Sequence, residues 1–502
     1  MGSTFSSLEH PLKANDLLFF MHTPKTAGAT LLPIVERQFD EDKIARWLYP
    51  FQLLDMPPEF FTQYLYFHGH VEYSLMRSFL PKPPVTITML RDPVERYLSH
   101  VGNYQRAPLS QIPDTTPDIF NQFKRTSLAD FVYDPPEVLV PLSRYVQNLQ
   151  AKFLASEIDS EQRPLGEQKE LIKTLQYNLP VPDLEQAKRR LDQFAFVGLT
   201  ERFQDSLFLM AYTFGWLPIT EYKSINRQQP RPQQDKLPPD LLEKINDMNS
   251  LSQQVYAYGR DIFQKRYQQM EQELLERYGR REDARLKLPL AADRIVELLE
   301  DHYRQRFIER NPTIPAIKLF FNKKIAGRNW HGQEYNETFG GTRWSGPGRC
   351  ARLDLPLAIL SNVWLRVSVI AAITQEILDS LVVKVNDEPI AMRMNFSQNG
   401  ARIYVGYVSQ NILARQPGCT TICFEVAKTL KPADIMPENE DDRRLGIAIN
   451  WVQVEPAPPL TLIQVEHRDF AQQYQTFETN SNIIHPSPFG KLAQRFKQIF
   501  KR

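Results

Sequence analysis

The stretch TPKTAG, residues 23–28, places a lysine, two threonines and a glycine between an apolar run and a helical pattern. The apolar run, LLFFMH (17–22), is typical of a strand that is covered on both faces. A tight strand-to-helix turn presents backbone N–H groups at the helix start, where the dipole favours an anion. Gly28 would let the backbone approach the anion, and Lys25 would add a mobile charge. The sequence therefore predicts a phosphate-binding loop.

The order of residues in this loop differs from that of nucleoside triphosphatases. In those proteins a lysine and then a serine or threonine directly follow the second glycine. Here Lys25 precedes Gly28, so a magnesium–triphosphate site is poorly supported. On residue types alone, an ordinary strand–turn–helix connection without a ligand remains the alternative.

A second candidate anion site follows another strand pattern, in VTITMLRDPVERYLSH (85–100). Asp92 suits a helix N-cap and Pro93 suits the first helical position, so Arg91 should lie at the carboxyl end of a strand. Ligands of open α/β sheets bind at that end. Ser99 falls two turns into the helix, and a guanidinium with a hydroxyl can grip a phosphate. A local ion pair between Arg91 and an acid such as Asp92 is the alternative.

Two histidines flank a glycine in YLYFHGHVEYSL (64–75). If this stretch is extended, His68 and His70 point to the same side. A neutral imidazole suits the removal of a proton from a hydroxyl at pH 7. Half-buried structural histidines are the alternative. A metal site is disfavoured, because His22 alone does not make a persuasive third ligand.

The elements that must position these residues follow from hydrophobic patterning. Short apolar strands alternate with helical patterns over residues 15–100, which predicts an α/β domain with a P-loop-like parallel sheet flanked by helices. Residues 110–275 are mostly helical in pattern, with one further strand, FAFVGL (194–199). After NPTIP (311–315), short β-rich runs are separated by Gly, Pro, Asn and Asp. These runs predict an antiparallel, jelly-roll-like β-sandwich.

We therefore expect an α/β domain over 1–275, a helical linker over 276–312, a β-sandwich domain over 313–456 and a tail over 457–502. The tail contains PSPFGKLAQRFKQIFKR (486–502), whose apolar residues fall near one helical face and whose basic residues have no acidic neighbour. Such a basic amphipathic helix is typical of peripheral contact with a membrane surface. Docking on its own protein is the alternative.

Composition restricts the partners and the compartment. The 60 basic and 59 acidic residues leave a formal charge of +1, so no nucleic-acid partner is expected. The cysteines at 350, 419 and 423 are too few for a disulfide framework and favour a reducing compartment. Cys419 and Cys423 have no further ligands at zinc-finger spacing, so no metal is expected. The N-terminus lacks the apolar core of a signal peptide.

The order of PKTAGATL (24–31) and RDPVERYLSH (91–100) resembles the sulfotransferases that use 3′-phosphoadenosine-5′-phosphosulfate (PAPS). In that family the first motif holds the 5′-phosphosulfate, and the arginine and serine of the second hold the 3′-phosphate. The resemblance implies the following binding residues: Lys25, Thr26, Ala27, Gly28, Ala29 and Thr30 for the 5′ end, and Arg91 and Ser99 for the 3′ end.

The stretch FHGHV (67–71) is similar to the heparan sulfate 2-O-sulfotransferase branch, where this histidine pair serves catalysis. The match implies that His70 is the catalytic base, that His68 assists and that Lys25 stabilises the leaving group. Other branches use a glutamate, which makes Glu72 a weaker candidate for the base.

Further similar stretches occur in the expected order and extend the resemblance over about residues 15–275: SLADFV (127–132), VQNLQAKFLA (146–155), FAFVGLTERFQDSL (194–207) and VYAYGRDIFQKR (255–266). Two departures affect the 5′ loop. Ala29 stands where many relatives have a hydroxyl residue, and Pro33 should cost one backbone hydrogen bond in the helix.

The resemblance implies transfer of a sulfuryl group from PAPS to a hydroxyl of a glycan or glycolipid, by in-line displacement and without a metal. The alternatives are a nucleotide kinase and a glycan-binding protein with an inactive catalytic domain. Animal relatives carry a membrane anchor, and we expect here a bacterial cytoplasmic enzyme, peripheral to the inner membrane. In the β domain, three aromatic residues are expected either to stack on sugars or to belong to the core: Trp330, Tyr335 and Trp344.

Overall fold

The computed structural model describes residues 8–458, except for 54, 107–116, 156–180, 223–231, 286 and 437. The chain divides into two compact units, Met1–Tyr303 and Arg304–Arg502. No helix in this described part of the chain is long and apolar enough to cross a membrane. The predicted basic helix of the tail (486–502) lies outside the described residues.

The first unit contains a five-stranded sheet whose strand pairings are all parallel. The strand order is β2-β3-β1-β4-β5, with β1 at Leu18–Met21, β2 at Ile44–Leu48, β3 at Tyr66–Gly69, β4 at Val85–Leu90 and β5 at Phe196–Leu199. Every residue of β1, β3 and β5 is buried, as strands covered on both faces require. The predicted parallel sheet is confirmed.

Helices flank this sheet, and the last of them runs beyond Tyr303, where the first unit ends. In chain order they are α1 (Gly28–Glu36), α2 (Pro50–Leu53), α3 (Phe60–Gln63), α4 (Tyr73–Phe79), α5 (Pro93–Arg106), α6 (Pro117–Arg125), α7 (Leu128–Tyr133), α8 (Val140–Val146), α9 (Leu149–Ala155), α10 (Leu184–Gln193), α11 (Phe203–Phe214), α12 (Pro239–Met248), α13 (Ser250–Tyr278) and α14 (Ala292–Arg310). Short 3₁₀ turns lie at Glu41–Lys43, Glu137–Leu139, Gln234–Lys236 and Arg281–Arg285.

The segment predicted as a helical linker, 276–312, holds the end of α13 and all of α14. Ile295, Leu298 and Leu299, from the first half of α14, are buried in the hydrophobic core of the first unit. This half of the helix therefore packs as part of the α/β unit.

The strand order creates a crevice at the centre of the sheet. The chain passes from β1 to β2 on one side of β1, and from β4 to β5 on the other side. The connections after β1 and β4 thus leave in opposite directions. Neighbouring strands of this kind leave a crevice at their carboxyl ends, where ligands of α/β sheets bind. The TPKTAG loop follows β1 and Arg91 follows β4 at this crevice.

The second unit contains two antiparallel sheets, in the orders β13-β12-β16-β10-β7 and β14-β15-β11-β17-β9-β8, with β6 pairing with β17. The strands are β6 (Ile317–Phe320), β7 (Gly327–Arg328), β8 (Trp330–Asn336), β9 (Gly340–Ser345), β10 (Cys350–Leu355), β11 (Val363–Ala372), β12 (Val382–Val385), β13 (Glu388–Ile390), β14 (Met392–Phe396), β15 (Arg402–Val408), β16 (Thr420–Glu425) and β17 (Ile447–Pro456). Short helices lie at Gln375–Asp379, Gln410–Leu413 and Pro432–Ile435.

Both sheets of the second unit contribute to one hydrophobic core. Leu353 and Phe424 come from the first sheet, and Leu365 and Val452 come from the second. The predicted antiparallel pairing is confirmed, and the jelly-roll-like sandwich stays a prediction.

The cysteines of the second unit differ from the expectation drawn from composition. Cys350 of β10 and Cys423 of β16 form a disulfide, with their Cα atoms 5.9 Å apart. The two strands pair side by side, which brings the cysteines together. Cys419 is a buried free thiol, and burial raises its pKa to about 12. Cys423 is therefore not available as the zinc ligand that its spacing from Cys419 suggested.

Two of the three aromatic residues considered for sugar stacking are core residues. Trp330 is buried, packs against Phe424 and donates its indole N–H to the carbonyl of Arg352. Trp344 is also buried. Tyr335 is 74% exposed. The core alternative is therefore confirmed at both tryptophans, and sugar stacking stays a prediction at Tyr335 alone.

Candidate active site

The TPKTAG loop curls its backbone into a concave turn. Lys25 and Ala27 have φ values of 72° and 63°, in the left-handed region, whereas Thr26 between them does not. Alternation of this kind turns successive backbone N–H groups to one side and forms an anion-binding nest. Helix α1 begins at Gly28, and its N-cap residue Ala27 makes no side-chain capping bond. The first turn of the helix thus has no side-chain cap, as an anion-binding turn requires.

Gly28 serves a purpose that the sequence did not reveal. A Cβ atom at this position would overlap the imidazole of His22. His22 is buried, stacks on Phe20 with ring centroids 5.2 Å apart, and lies 4.6 Å from the ring of His70. A glycine at position 28 is thus required to make room for His22, in addition to the predicted room for an anion.

Gly28→Ala is expected to destabilise the first unit by about 1–3 kcal/mol, because the added methyl group must displace a packed ring. The displaced His22 should also disturb His70 and lower activity. Thermal denaturation and a transfer assay measure the two effects. Gly102→Ala in α5 is the matched control, since the nearest atom there is the far end of the Arg106 side chain. Equal melting temperatures for the two variants would contradict the assigned packing.

Lys25 and Arg91 lie in one hydrogen-bonded cluster at the crevice. Arg91 Nη1 donates to the carbonyl oxygen of Lys25 at 3.1 Å, and Arg91 Nη2 donates to Glu95 Oε2 at 3.3 Å. Lys25 Nζ donates to Asn103 Oδ1 of α5 at 3.0 Å. Arg91 thus forms an ion pair with a local acid, as the alternative predicted, and that acid is Glu95. The Arg91 guanidinium thus contacts the backbone of the loop that carries Lys25.

The backbone at Arg91 is fixed by side chains that sequence analysis did not single out. The amide of the buried residue Gln150 accepts from Arg91 N at 2.9 Å and donates to Arg91 O at 2.7 Å. Glu201 accepts from Asp92 N at 3.0 Å. Asp92 Oδ1 accepts from Glu95 N at 2.9 Å, so the predicted N-cap of α5 is confirmed. These bonds hold the arginine rigidly at the end of β4.

The other residues predicted for the nucleotide site occupy different positions in the loop and its helices. Thr26 donates its hydroxyl proton to Thr23 O at 2.8 Å within the loop, so the predicted hydroxyl donor is already engaged. Thr30 is buried and Ala29 half-buried in the first turn of α1. Pro33 is accommodated, because α1 continues through it to Glu36. Half-buried Ser99 lies on α5, the helix that follows Arg91.

His70 is held by a backbone carbonyl. Its Nδ1 lies 3.0 Å from the carbonyl oxygen of His22. A carbonyl can only accept, so Nδ1 carries the proton and Nε2 keeps its lone pair. Burial lowers the pKa of His70 to about 4, against the opposing effect of this hydrogen bond. The imidazole is therefore neutral at pH 7, with one nitrogen able to accept a proton.

His68, two residues before His70, is fully buried. Its Nε2 lies 3.0 Å from Glu36 Oε1, and Arg46 Nε donates to the same carboxylate at 3.3 Å. Burial opposes ionisation of Glu36, yet the bonds from His68 and Arg46 hold its pKa below the usual value. His68 thus contacts protein groups, and its assisting role stays a prediction.

Glu72 is a second titratable group beside the histidine pair. It precedes α4 and is buried, and burial raises its pKa to about 7. Its Oε2 has no hydrogen-bond partner among the described residues. A carboxyl group with this pKa is partly protonated at neutral pH, which keeps Glu72 as the weaker candidate for the base.

Two aromatic residues that the sequence analysis did not consider flank His70. The ring centroids of Trp47 and Tyr49 lie 6.4 Å and 5.7 Å from that of the imidazole.

In the described residues there is no group of three or more His, Cys, Asp or Glu side chains that could hold a metal ion.

Comparison with curated proteins finds animal sulfotransferases. The chain is 29% identical over 214 residues to heparan-sulfate 6-O-sulfotransferase 1 of Homo sapiens, covering 40% of this chain and 48% of the relative. It is 30% identical over 203 residues to heparan-sulfate 6-O-sulfotransferase 3-B of Danio rerio, covering 36% and 43%. The chain thus spans less than half the length of these relatives. No protein-family model matches the chain.

Proposed function

We propose that this protein is a PAPS-dependent sulfotransferase, which transfers the sulfuryl group to a hydroxyl of a glycan or glycolipid by in-line displacement. The observation that carries the proposal is the position of Lys25 and Arg91 at the carboxyl ends of neighbouring parallel strands, joined by a hydrogen bond. A nucleotide with phosphates at both ends of its ribose has two anions to place there. The similarity to sulfotransferases that act on heparan sulfate supports the same chemistry.

The residues of the crevice fit PAPS. The nest at residues 25–28 and the lysine charge suit the 5′-phosphosulfate. The Arg91 guanidinium suits the 3′-phosphate, with Ser99 as a further donor on α5. PAPS, when bound, would supply the sulfuryl group and the leaving phosphate. Lys25 and the loop N–H groups would stabilise the charge that gathers on the leaving oxygen.

His70 is the proposed proton acceptor. Its Nδ1 is engaged by the carbonyl of His22, so Nε2 would take the proton of the acceptor hydroxyl. His68 is assigned a positioning role, because it is buried on Glu36. The proposed match of this pair to the 2-O branch rests on FHGHV alone, whereas the relatives reported above carry 6-O in their names.

The pH dependence of kcat/KM for the acceptor, at saturating PAPS, should distinguish His70 from Glu72. A base of pKa about 4 remains unprotonated well below pH 6.5, so activity should persist to about pH 5. If Glu72, with a pKa of about 7, were the base, activity would fall as the pH drops through 7. Glu72→Gln should leave the profile unchanged if His70 is the base.

Stability must be measured at each pH, because the same group affects it. The pKa of His70 is lower in the folded chain than in the unfolded chain, so the unfolded chain binds more protons as the pH falls from about 6.5 to 4. As the pH falls below about 6.5, the melting temperature should therefore decrease, whereas kcat/KM should persist to about pH 5. A decline of kcat/KM near pH 6.5, where the protein is still folded, would argue against a neutral His70 imidazole as the base.

A transfer assay tests the proposal itself. The purified protein is incubated with radiolabelled PAPS and a panel of glycans and glycolipids, and in parallel with radiolabelled ATP and nucleoside monophosphates. We expect label from PAPS on at least one glycan and none from ATP. Phosphoryl transfer from ATP would favour the kinase alternative, and glycan binding without any transfer would favour an inactive catalytic domain.

Two expectations about partners and compartment remain proposals. A glycan-binding role for the second unit now rests on fewer residues, since only Tyr335 of the three predicted aromatics is exposed. Cytoplasmic location at the inner membrane was expected from the cysteine content and the basic tail. The Cys350–Cys423 disulfide is more typical of an oxidising compartment.

A further inference from the structure

Trp47 is an exposed tryptophan in a backbone conformation that few large side chains adopt. Its φ is 51°, where a bulky residue is a steric outlier, and it is 45% exposed. The other non-glycine residues at positive φ in the described chain are Lys25 and Ala27 of the phosphate loop, and Asn or Asp residues, which tolerate this region. Backbone strain of this kind clusters at functional sites.

A β-bulge produces this conformation. Ala45 of β2 pairs with Phe67 of β3, and the next pair along the two strands is Leu48 with Gly69, so β2 carries one extra residue. Bulges re-aim side chains next to active sites. A Cβ at position 69 would overlap the backbone of Leu48, which in turn accepts a hydrogen bond from His70 N at 2.9 Å. The glycine between the two histidines therefore lets the bulge lie directly against the proposed base.

The bulge brings aromatic rings to the histidine pair. The Trp47 ring lies edge-on to His68 at 5.6 Å and is inclined by 61° to His70 at 6.4 Å. The centroid of the Tyr49 ring lies 5.7 Å from that of the His70 ring. His22 packs on the imidazole from the buried interior. Trp47 is the most exposed of these rings, since Tyr49 is half-buried.

We propose that Trp47 is the platform on which a sugar ring of the acceptor stacks, beside the base His70. An indole presents a flat apolar face and one N–H donor, which complements a pyranose with C–H groups on its face and hydroxyls at its rim. One sugar unit can touch both rings, because they lie so close together. This inference rests on the proposed function and assigns one residue of its acceptor site.

Acceptor affinity of the full-length protein, saturated with 3′-phosphoadenosine-5′-phosphate (PAP), tests the proposal by calorimetry. The probe is a hexasaccharide of chemically desulfated heparin. Trp47→Ala should weaken its binding about 10-fold or more, and Trp47→Phe should restore most of it. PAP affinity should be unchanged in both variants. Tyr133→Ala, which removes a 50% exposed aromatic ring on α7, is the control and should bind the sugar as the wild type does.

A second variant separates binding from folding. Trp47→Gly should melt at or above the wild-type temperature, because glycine relieves the positive φ, while losing sugar affinity as the alanine variant does. A melting temperature well below the wild type would mean that the ring is there for packing, and would overturn the proposal. So would unchanged sugar affinity in Trp47→Ala, or no binding of the probe by a wild type that binds PAP. Failure of the wild type to bind PAP would instead overturn the proposed function.

Discussion

Replacing His70 with alanine is expected to lower kcat by a factor of about 10²–10⁴ while leaving PAP affinity unchanged. The reason is the arrangement of its ring. The carbonyl of His22 occupies Nδ1, burial keeps the imidazole neutral, and Nε2 is left to accept a proton. Steady-state kinetics and calorimetry with PAP measure the two quantities.

His10→Ala is the control for this variant, because it removes an exposed imidazole near the N-terminus. The control should retain wild-type kcat. Near-wild-type turnover in His70→Ala would exclude His70 as the base. Glu72 would then be the candidate base, because its pKa of about 7 also permits proton transfer at neutral pH.

The second large effect is expected from Lys25→Ala, with a loss of about 10²–10³ in kcat. Lys25 connects the loop twice to the segment that follows β4, since its carbonyl accepts from Arg91 and its ammonium donates to Asn103 of α5. Its charge would act on the leaving oxygen, so the loss should fall on kcat more than on PAP affinity. Rapid-quench measurement of a single turnover isolates that step.

Lys25→Met keeps most of the stem and should show a similar loss, which separates the charge from the packing of the side chain. Lys188→Ala removes a half-buried lysine of α10 that forms an ion pair with Glu185, and should leave the rate unchanged. If Lys25→Ala turned over at the wild-type rate, the loop would not be the site of charge development.

The parts of the fold that follow local rules could be predicted from the sequence. The runs VTITML and FAFVGL contain β4 and β5, whose residues are almost all buried, as strands covered on both faces require. Asp92 and Pro93 mark the start of α5 through capping and a fixed φ. Lys25 and Arg91 meet because the carboxyl ends of parallel strands share one edge of the sheet.

The parts that depend on distant contacts could not be predicted. Asn103 lies 78 residues from Lys25, and Gln150 lies 59 residues from Arg91. Neither residue type indicates a partner so far along the chain. The role of Gly28 depends on where His22 packs, and the re-aiming of Trp47 depends on one extra residue in the ladder between β2 and β3.

In the second unit, the sequence likewise could not predict which side chains face the core. Trp330 and Trp344 lie among glycine and polar residues, which left both a sugar-stacking surface and the core as alternatives, and both side chains are buried. The pairing of Cys350 with Cys423 follows from the register of β10 against β16. That register is set by tertiary packing, which spacing along the sequence does not show.

The most direct test of the central claim is a crystal structure of the full-length protein with PAP. The account predicts density for the nucleotide at the carboxyl ends of β1 and β4, with its 5′-phosphate on the N–H groups of residues 25–30 and its 3′-phosphate on Arg91. Density for PAP at any other place, with this crevice empty, would contradict the account.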